Sequence, residues 1–295
     1  MAANTRDIRR RIKSVKNTAQ ITKAMQMVAA AKMRKAQQVA VAGRAYAELL
    51  SKVLKSVSKG AEDGAHELLT AREVKKELVI VVSPDKGLCG ALNTNLFREV
   101  GKFDTEKTVF VAAGRKAMQF LARTNRNLLA EFPLKDSPSF LETKAIAKFA
   151  MEKFISGEVD KVTVAFTDFV NTLTQIPKAR TILPITSLEV MSGIGGEQEN
   201  AKVQSDPSDD LEYVFEPNMH DVLSAVLPHH VYFQVYQMVL DARASEHSAR
   251  MVAMKSATDN AKQLIKDLTL EYNKVRQAAI TTELLEITTA QMALG

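Results

Sequence analysis

The sequence predicts an α/β domain carried between two long terminal helices that pair as an antiparallel coiled coil. Both ends of the chain space apolar residues alternately by three and four, as helices do when they pair along one face. The middle of the chain instead alternates short runs of Val, Ile and Phe with helical patterns. We therefore expect an N-terminal coiled-coil helix over 1–58, an α/β domain over 75–188, a flexible loop and connection over 189–217, and a C-terminal coiled-coil helix over 218–295.

The N-terminal helix is predicted from an uninterrupted stripe. Between Thr5 and Val57 there is no proline and one glycine, Gly43. The stripe comprises Ile8, Ile12, Val15, Ala19, Thr22, Gln26, Ala29, Met33, Ala36, Ala40, Gly43, Ala47, Leu50, Leu54 and Val57. Such a helix is about 80 Å long, too long for the interior of a compact domain, so we expect it to project. Its first part, Arg6–Gln37, is strongly basic, with ten basic residues and one acidic residue.

The middle block predicts a Rossmann-like α/β domain. Buried strands are expected at "ELVIVVS", "TVFVAAG" and "KVTVAFTDF", and helices at "NTNLFREVGKF", "RKAMQFLART" and "LETKAIAKFAMEKFISG". The segment "LTQIPKARTILPI" predicts a further strand at an edge, where proline is tolerated. The stretch Ser192–Asp210 is rich in Gly, Ser, Asp and Pro, which predicts a loop.

The last block predicts a helix from Asn218 to about Ile287, interrupted by Pro228 near its start. Its stripe is Met254, Ala257, Ala261, Leu264, Leu268, Tyr272, Val275, Ala279, Thr282 and Leu285. This stripe provides the partner for the N-terminal helix.

Composition excludes several classes of protein. A single cysteine, Cys89, rules out an internal disulfide and a cysteine-based metal cluster, and it fits a reducing compartment. The apolar runs are much shorter than the ~20 residues that a membrane-spanning helix needs. The formal charge of +6 favours acidic partners. Five histidines lie without a recognisable nucleophile or metal partner, so we expect no catalytic centre and no cofactor.

The segment "SPDKGLCGALN" lies between a strand and a helix, where many folds bind phosphate. It matches neither GxGxxG nor GxxxxGK, which favours a structural turn or a contact with a partner. Two other classes remain open at this point. A nucleic-acid-binding coiled coil explains the charge, and a small α/β enzyme explains the middle block but leaves both long helices without a role.

Three motifs are similar to the gamma subunit of bacterial F-type ATP synthase: "IRRRIKSVKNTAQITKAMQMVAAAKMRKAQ", "SPDKGLCGALNTNL" and "ASEHSARMVAMKSATDNAKQLIKDLTLEYNKVRQAAITTELLEI". The resemblance covers essentially the whole chain. It implies a central rotor shaft, one copy within three alpha and three beta subunits, in contact with an epsilon subunit and a membrane c-ring. Ion-driven rotation is thereby coupled to ATP synthesis, or the reverse, at catalytic sites on the beta subunits. The resemblance also implies a peripheral protein on the cytoplasmic face of a bacterial inner membrane, with no nucleic acid bound.

The same resemblance implies contact residues. Lys23 and Met25 correspond to a region that couples rotor to stator, and they are expected to face Arg250 and the segment Arg276–Glu286 across the coiled coil. Within that segment the coupling residues are Arg276, Gln277, Thr281, Glu283 and Glu286. Tyr213 and Glu216 are expected at the foot, near the membrane ring or epsilon. Phe215 stands where the family often has tyrosine, and Ala290 and Gln291 replace a usual Gly-Ala pair.

Overall fold

The computed structural model of the chain describes residues 2–43, 46, 49–50, 54, 66–185 and 219–294. The described helices are α1 (Ala2–Ala42), α2 (Leu92–Val100), α3 (Arg115–Arg123), α4 (Phe140–Ile155) and α5 (Met219–Leu294). The strands are β1 (Glu77–Val82), β2 (Thr108–Ala113), β3 (Leu128–Phe132), β4 (Lys161–Phe169) and β5 (Gln175–Leu183). Two compact units result, Met1–Ala29 with Met251–Gly295, and Ala30–Arg250. The boundaries predicted at 58, 188 and 217 lie outside the described residues and stay predictions.

The five described strands form one sheet in the order β3-β2-β1-β4-β5. β1 pairs in parallel with β2 and with β4, β2 pairs in parallel with β3, and β5 is antiparallel to β4. The predicted edge position of the proline-bearing strand is confirmed, because β5 carries Pro177 at the end of the sheet. β3 was not predicted. It is a short strand at the opposite edge, and none of its side chains is fully buried.

Helices cover both faces of the sheet. Alternate residues of β1 point to opposite sides, as the twofold period of a strand requires. Leu78, Ile80 and Val82 pack with α4 and with the first part of α5, whereas Val79 and Val81 pack with α2 and α3. Strands buried on both faces read as nearly continuous apolar runs, which is why β1 could be recognised in the sequence.

In the unit formed by the two chain ends, α1 and α5 pair in antiparallel orientation. Arg9 contacts Tyr272 and Thr22 contacts Thr258, so positions rise along α1 as they fall along α5. The predicted stripe on α1 is the covered one: Ile8, Thr22 and Ala29 are buried, and the positions between them are half-buried. On α5 the stripe holds except at Leu264 and Leu285, which are exposed; Ile265 takes the half-buried place expected for Leu264.

Pro228 does not interrupt α5, contrary to prediction, and lies inside a helix of 76 residues. Proline removes one helical hydrogen bond and crowds the preceding turn, so the helix must be held by other contacts. Its neighbours Leu227 and Val231 are buried in the core below the sheet, with exposed fractions of 1% and 0%. Tertiary packing therefore outweighs the local penalty.

Candidate functional site

The unit formed by the chain ends carries the whole formal charge of the protein. It holds twelve basic and six acidic residues, a formal charge of +6, which equals that of the complete chain. The remaining 28 basic and 28 acidic residues, in Ala30–Arg250, cancel. Six of the seven basic residues of this unit's part of α1 lie between Arg6 and Lys16, and all six are exposed. The helix pair therefore presents a concentrated positive surface.

Exposed apolar side chains accompany this charge. Ile21, Met27 and Val28 lie off the seam of the helix pair and are 55–60% exposed. A helix that only meets water has little use for apolar residues outside its packed face. Basic and apolar groups together on the outer faces of α1 are typical of a surface that contacts another protein.

The structure separates the predicted coupling residues into two groups along the helix pair. Lys23 is exposed and Met25 is half-buried at the level of Thr22 and Thr258. Arg276 follows Tyr272 by four residues, and Tyr272 contacts Arg9. Arg276 is therefore level with about residue 5 of α1, roughly 27 Å along that helix from Lys23. The expectation that Lys23 and Met25 face Arg276–Glu286 was wrong, because the antiparallel register places that segment at the start of α1.

The last turns of α5 extend past the start of α1. In the register set by Arg9 and Tyr272, no described residue of α1 lies level with the positions after about 280. Thr281, Glu283 and Glu286 are exposed there, and Gln277, level with the start of α1, is exposed as well. The Thr281 hydroxyl donates to the Gln277 carbonyl at 3.0 Å. Four apolar side chains of this stretch are more than half exposed: Leu284, Leu285, Ile287 and Met292. The end of α5 thus offers apolar surface that the described part of the chain does not cover.

Arg250 belongs to the other unit, and its guanidinium is bound internally. It lies 2.8 Å from Glu246 Oε1 and donates to the carbonyls of Lys86 and Gly87 at 3.3 Å. The other carboxylate oxygen of Glu246 accepts from Arg243 Nη1 at 2.7 Å. Arg243 Nη2 donates to the Leu134 carbonyl at 2.8 Å. We call Arg243, Glu246 and Arg250 the α5 triad; it lies against the loops that follow β1 and β3.

At the carboxyl edge of the sheet, where open α/β folds bind phosphate, side chains of the chain itself contact the N-terminus of α3 and the end of β4. The N-terminus of α3 receives the Asp85 carboxylate, which accepts from the Arg115 amide at 2.8 Å, and the Ser83 hydroxyl, which accepts from the Ala117 amide at 2.7 Å. At the end of β4 the Ser245 hydroxyl of α5 donates to the Thr167 carbonyl at 3.0 Å. Ser83 and Asp85 of "SPDKGLCGALN" thus cap α3, which is a structural role. The helix that follows this segment is α2, whose N-terminus has no side-chain cap, so the interpretation of the segment as a structural turn stays a prediction there.

An ion pair fixes α1 to the loop after β3. Lys32 donates to Asp136, and this hydrogen bond lowers the pKa of the Asp136 carboxyl below its usual range. Neither this pair nor the α5 triad was predicted from the sequence. Arg243, Glu246 and Arg250 do have the i, i+3 and i+4 spacing that joins charges on a helix. Their burial, and the residues more than 100 positions away that they contact, cannot be read from spacing.

Tyr213 and Glu216 lie outside the described residues, so their predicted role at the foot stays a prediction. Within the described ranges, no group of three or more His, Cys, Asp or Glu side chains is arranged to hold a metal ion. Nor does any helix in those ranges have the length and apolar character needed to cross a bilayer.

Comparisons with known proteins define the family. A sequence model of the family described as ATP synthase matches residues 4–294. The chain is 49% identical over 299 residues to the ATP synthase gamma chain of Methylacidiphilum infernorum, covering 99% of this chain and 100% of the relative. It is 51% identical over 293 residues to the gamma chain of Opitutus terrae, covering 99% of both. The chain therefore belongs to the ATP synthase gamma chain family.

Solved structures confirm the fold. A chain of the Euglena gracilis mitochondrial ATP synthase, in an assembly of OSCP, F1 and c-ring, superposes with a TM-score of 0.69 at 21% identity, covering 100% of this chain and 95% of that chain. A chain from the central stalk and c-ring of the Tetrahymena thermophila enzyme gives 0.61 at 24% identity, covering 80% and 99%. The predicted combination of paired terminal helices and a central α/β domain is confirmed.

Proposed function

We propose that this chain is the central rotor shaft of an ATP synthase. Rotation of an ion-driven membrane ring turns the shaft, and the shaft biases the catalytic sites on the beta subunits in sequence among states of different nucleotide affinity. Reverse rotation accompanies hydrolysis. The chain itself carries no catalytic site in this proposal. It acts as a single copy within three alpha and three beta subunits, and it binds an epsilon subunit and the c-ring at its foot, where Tyr213 and Glu216 are assigned.

One observation carries this proposal beyond family membership: the helix pair concentrates a charge of +6 and exposed apolar side chains in one unit. Electrostatic attraction falls off gradually with distance, so a basic surface can attract acidic loops without one fixed register. An apolar helix end can turn within an apolar sleeve without breaking specific bonds. Both properties suit a part that must rotate while it stays bound.

The coupling residues fall at two levels in this proposal. Lys23 and Met25 act at the middle of the helix pair, and Arg276, Gln277, Thr281, Glu283 and Glu286 act near the start of α1. Arginine suits such contacts because its planar group makes two parallel hydrogen bonds to one carboxylate. Arg250 is assigned to coupling as well, through the loop that its guanidinium holds. In a bacterium the complex would lie on the cytoplasmic face of the inner membrane, with this chain as a peripheral component.

The test is co-expression with alpha and beta subunits, followed by size-exclusion chromatography and an ATPase assay of the eluted complex. We expect one copy in each six-membered ring and stimulated hydrolysis. Arg276→Ala should reduce assembly or coupled ATP synthesis, whereas Lys274→Ala, an exposed basic neighbour outside the proposed set, should not. A chain that elutes alone would argue against the rotor function. Equal behaviour of the two variants would remove Arg276 from the coupling residues.

A further inference from the structure

The turn after β1 holds one residue in a conformation that needs support. Leu88 has φ 62°, a left-handed value that costs an L-amino acid free energy. Its side chain is 64% exposed, so burial of that side chain does not compensate. Such conformations persist where surrounding contacts fix the backbone. Other groups must therefore hold the backbone of this turn.

Arg250 supplies those contacts. Its guanidinium donates to the carbonyl of Gly87 from both Nε and Nη2, at 3.4 and 3.3 Å, and to the carbonyl of Lys86 at 3.3 Å. The Gly87 carbonyl belongs to the peptide unit that joins Gly87 to Leu88. Hydrogen bonds to that carbonyl fix the orientation of this peptide plane, which contains the Leu88 nitrogen. The φ angle of Leu88 is thereby restricted. Arg250 is thus placed to maintain the left-handed residue.

Glu246 in turn fixes Arg250. Its side chain is 3% exposed, and its two oxygens bind two different arginines, Arg243 at 2.7 Å and Arg250 at 2.8 Å. A buried carboxylate with one partner would be costly, and two guanidiniums without it would repel each other. Replacement of a buried ion network by apolar groups need not reduce stability, so the triad is better explained by the geometry it imposes.

We propose that Glu246 is a positioning residue: through Arg250 it fixes the backbone of the turn Lys86–Leu88, and with it the position of Cys89, which follows directly. Lys86 and Leu88 are exposed, whereas Cys89 is 2% exposed. Release of the turn should therefore expose the Cys89 thiol. This positioning does not depend on the proposed rotor function.

Cys89 is the single cysteine of the chain, so every labelled thiol lies at this position. We would measure labelling by N-ethylmaleimide in the native full-length chain, reading the Cys89 peptide by mass spectrometry. Arg250→Gln leaves the Arg243–Glu246 pair intact and releases the turn, and labelling should accelerate about tenfold or more. Glu246→Gln should accelerate it similarly, and Arg250→Lys, which keeps the charge but loses the planar fork, should fall between. Glu152→Gln, an exposed glutamate on α4 beside Lys148, is the matched control.

Local opening of the turn can be distinguished from a change in the thiol pKa and from global unfolding. Burial raises the pKa of the Cys89 thiol, the positive charge of Arg250 partly offsets this, and the charge of Glu246 adds to it. Removing Arg250 therefore lowers the thiolate fraction, and faster labelling of Arg250→Gln must come from exposure. Glu246→Gln favours the thiolate by charge alone, so Arg250→Gln is the decisive variant. Opening of a turn exposes little surface, so the rate should not change with low urea concentrations, whereas labelling through global unfolding rises steeply with urea.

Labelling rates in Arg250→Gln and Glu246→Gln equal to that of Glu152→Gln would overturn the proposal. An acceleration that followed urea as global unfolding does would overturn it as well, because the triad would then serve stability only. No partner subunit takes part in the measurement, so its outcome is independent of whether the rotor function is correct.

Discussion

His230 is a buried histidine whose position makes folding depend on pH. It is 4% exposed, and burial lowers its pKa to about 4, with a smaller contribution from Arg180. At pH 7 the ring is neutral in both the folded and the unfolded chain. Below about 6.5 the unfolded chain binds a proton that the folded chain does not accept until the pH approaches 4. The free energy of unfolding therefore falls as the pH drops through this window.

We predict that His230→Gln flattens this dependence. A pKa difference between 6.5 and about 4 corresponds to about 3 kcal/mol of unfolding free energy, lost gradually between those pH values. Urea unfolding of the wild-type chain and the variant at pH 7.0, 6.0 and 5.0 measures it. The wild-type free energy should decline relative to that of the variant by about 0.7 kcal/mol from pH 7.0 to 6.0 and by about 1.2 kcal/mol from pH 6.0 to 5.0, because the limiting slope is reached only well between the two pKa values. Parallel curves for the two proteins would contradict the assignment; His229→Gln, at the half-buried neighbour, serves as the control.

Gly114 shows a second constraint at the scale of one residue. It follows β2 with φ 112°, and a Cβ atom placed there would lie 2.1 Å from the Ser83 carbonyl oxygen. The close approach of the Gly114 backbone to Ser83 lets Ser83 and Asp85 reach the first turn of α3. Neither the backbone angle nor the space accepts a side chain.

Gly114→Ala should therefore reduce the free energy of unfolding by about 3 kcal/mol or more. Gly87→Ala is a matched comparison in the same region, because among the described residues, its chain neighbours apart, no atom lies within 4 Å of a Cβ built at Gly87. Its effect should be within about 0.5 kcal/mol. Urea unfolding followed by circular dichroism measures both. Similar losses of unfolding free energy in the two variants would show that the close contact at Gly114 does not determine the stability of the fold.

At the scale of elements, the seam between α1 and α5 contains a buried polar pair. The hydroxyls of Thr22 and Thr258 lie 2.7 Å apart, with exposed fractions of 9% and 4%. Thr258 is also within 2.8 Å of its own Met254 carbonyl, and Thr22 within 3.1 Å of the Ala19 carbonyl. One hydroxyl can donate across the seam while the other donates to its own helix. A polar pair in an otherwise apolar and small-residue seam favours one register of the two helices.

A double-mutant cycle tests the pair. Thr22→Val and Thr258→Val each leave one buried hydroxyl without its partner across the seam, so each should cost about 1 kcal/mol of unfolding free energy. The double variant should cost less than the sum, with a coupling of about 0.5–1 kcal/mol. Thr269→Val, at an exposed threonine that bonds only its own helix at Ile265, controls for the change of residue type. Additive effects at Thr22 and Thr258 would show that the hydroxyls act independently.

Helices and strands of this fold could be predicted where the spacing of apolar residues in the sequence agrees with their burial in the structure. β1 and the α1 stripe are set by periodicity, and the structure places both where the sequence indicates. β3 was missed because its residues are only partly covered at the sheet edge, so its apolar pattern is weak. The α5 triad was missed for a different reason. Arg243 binds the carbonyl of Leu134, a contact that exists only after strands and helix have assembled.

The register between α1 and α5 explains why Lys23 does not face Arg276, contrary to prediction. Motifs place Lys23 and Arg276 in one functional set, but they say nothing about the level of each residue along the helix pair. The contacts Arg9–Tyr272 and Thr22–Thr258 supply that level. The proposed coupling residues therefore lie at two levels, one near the middle of α1 and one near its start. In the proposed rotor, these two levels would meet different parts of the surrounding ring.

At the scale of the whole molecule, charge is divided between the two units rather than spread over them. A formal charge of +6 on the unit of chain ends and of zero on Ala30–Arg250 assigns long-range attraction to the helix pair alone. Association with an acidic partner should therefore depend on salt through this unit. The number of charges, more than the identity of any one of them, should set the association rate.

We predict that replacing Arg10, Arg11, Lys13 and Lys16 by glutamine slows association with the alpha and beta subunits and flattens its dependence on ionic strength. All four are exposed, and their loss reduces the charge of the unit from +6 to +2. The association rate at low salt should fall about tenfold or more, and the difference should shrink as added salt screens the charges. Replacing Lys102, Lys107, Arg115 and Arg123, four exposed basic residues of the α/β domain, changes the total charge equally and should leave the rate nearly unchanged. If both sets slowed association equally, total charge would be the determinant and the concentration of charge on the helix pair would have no separate role.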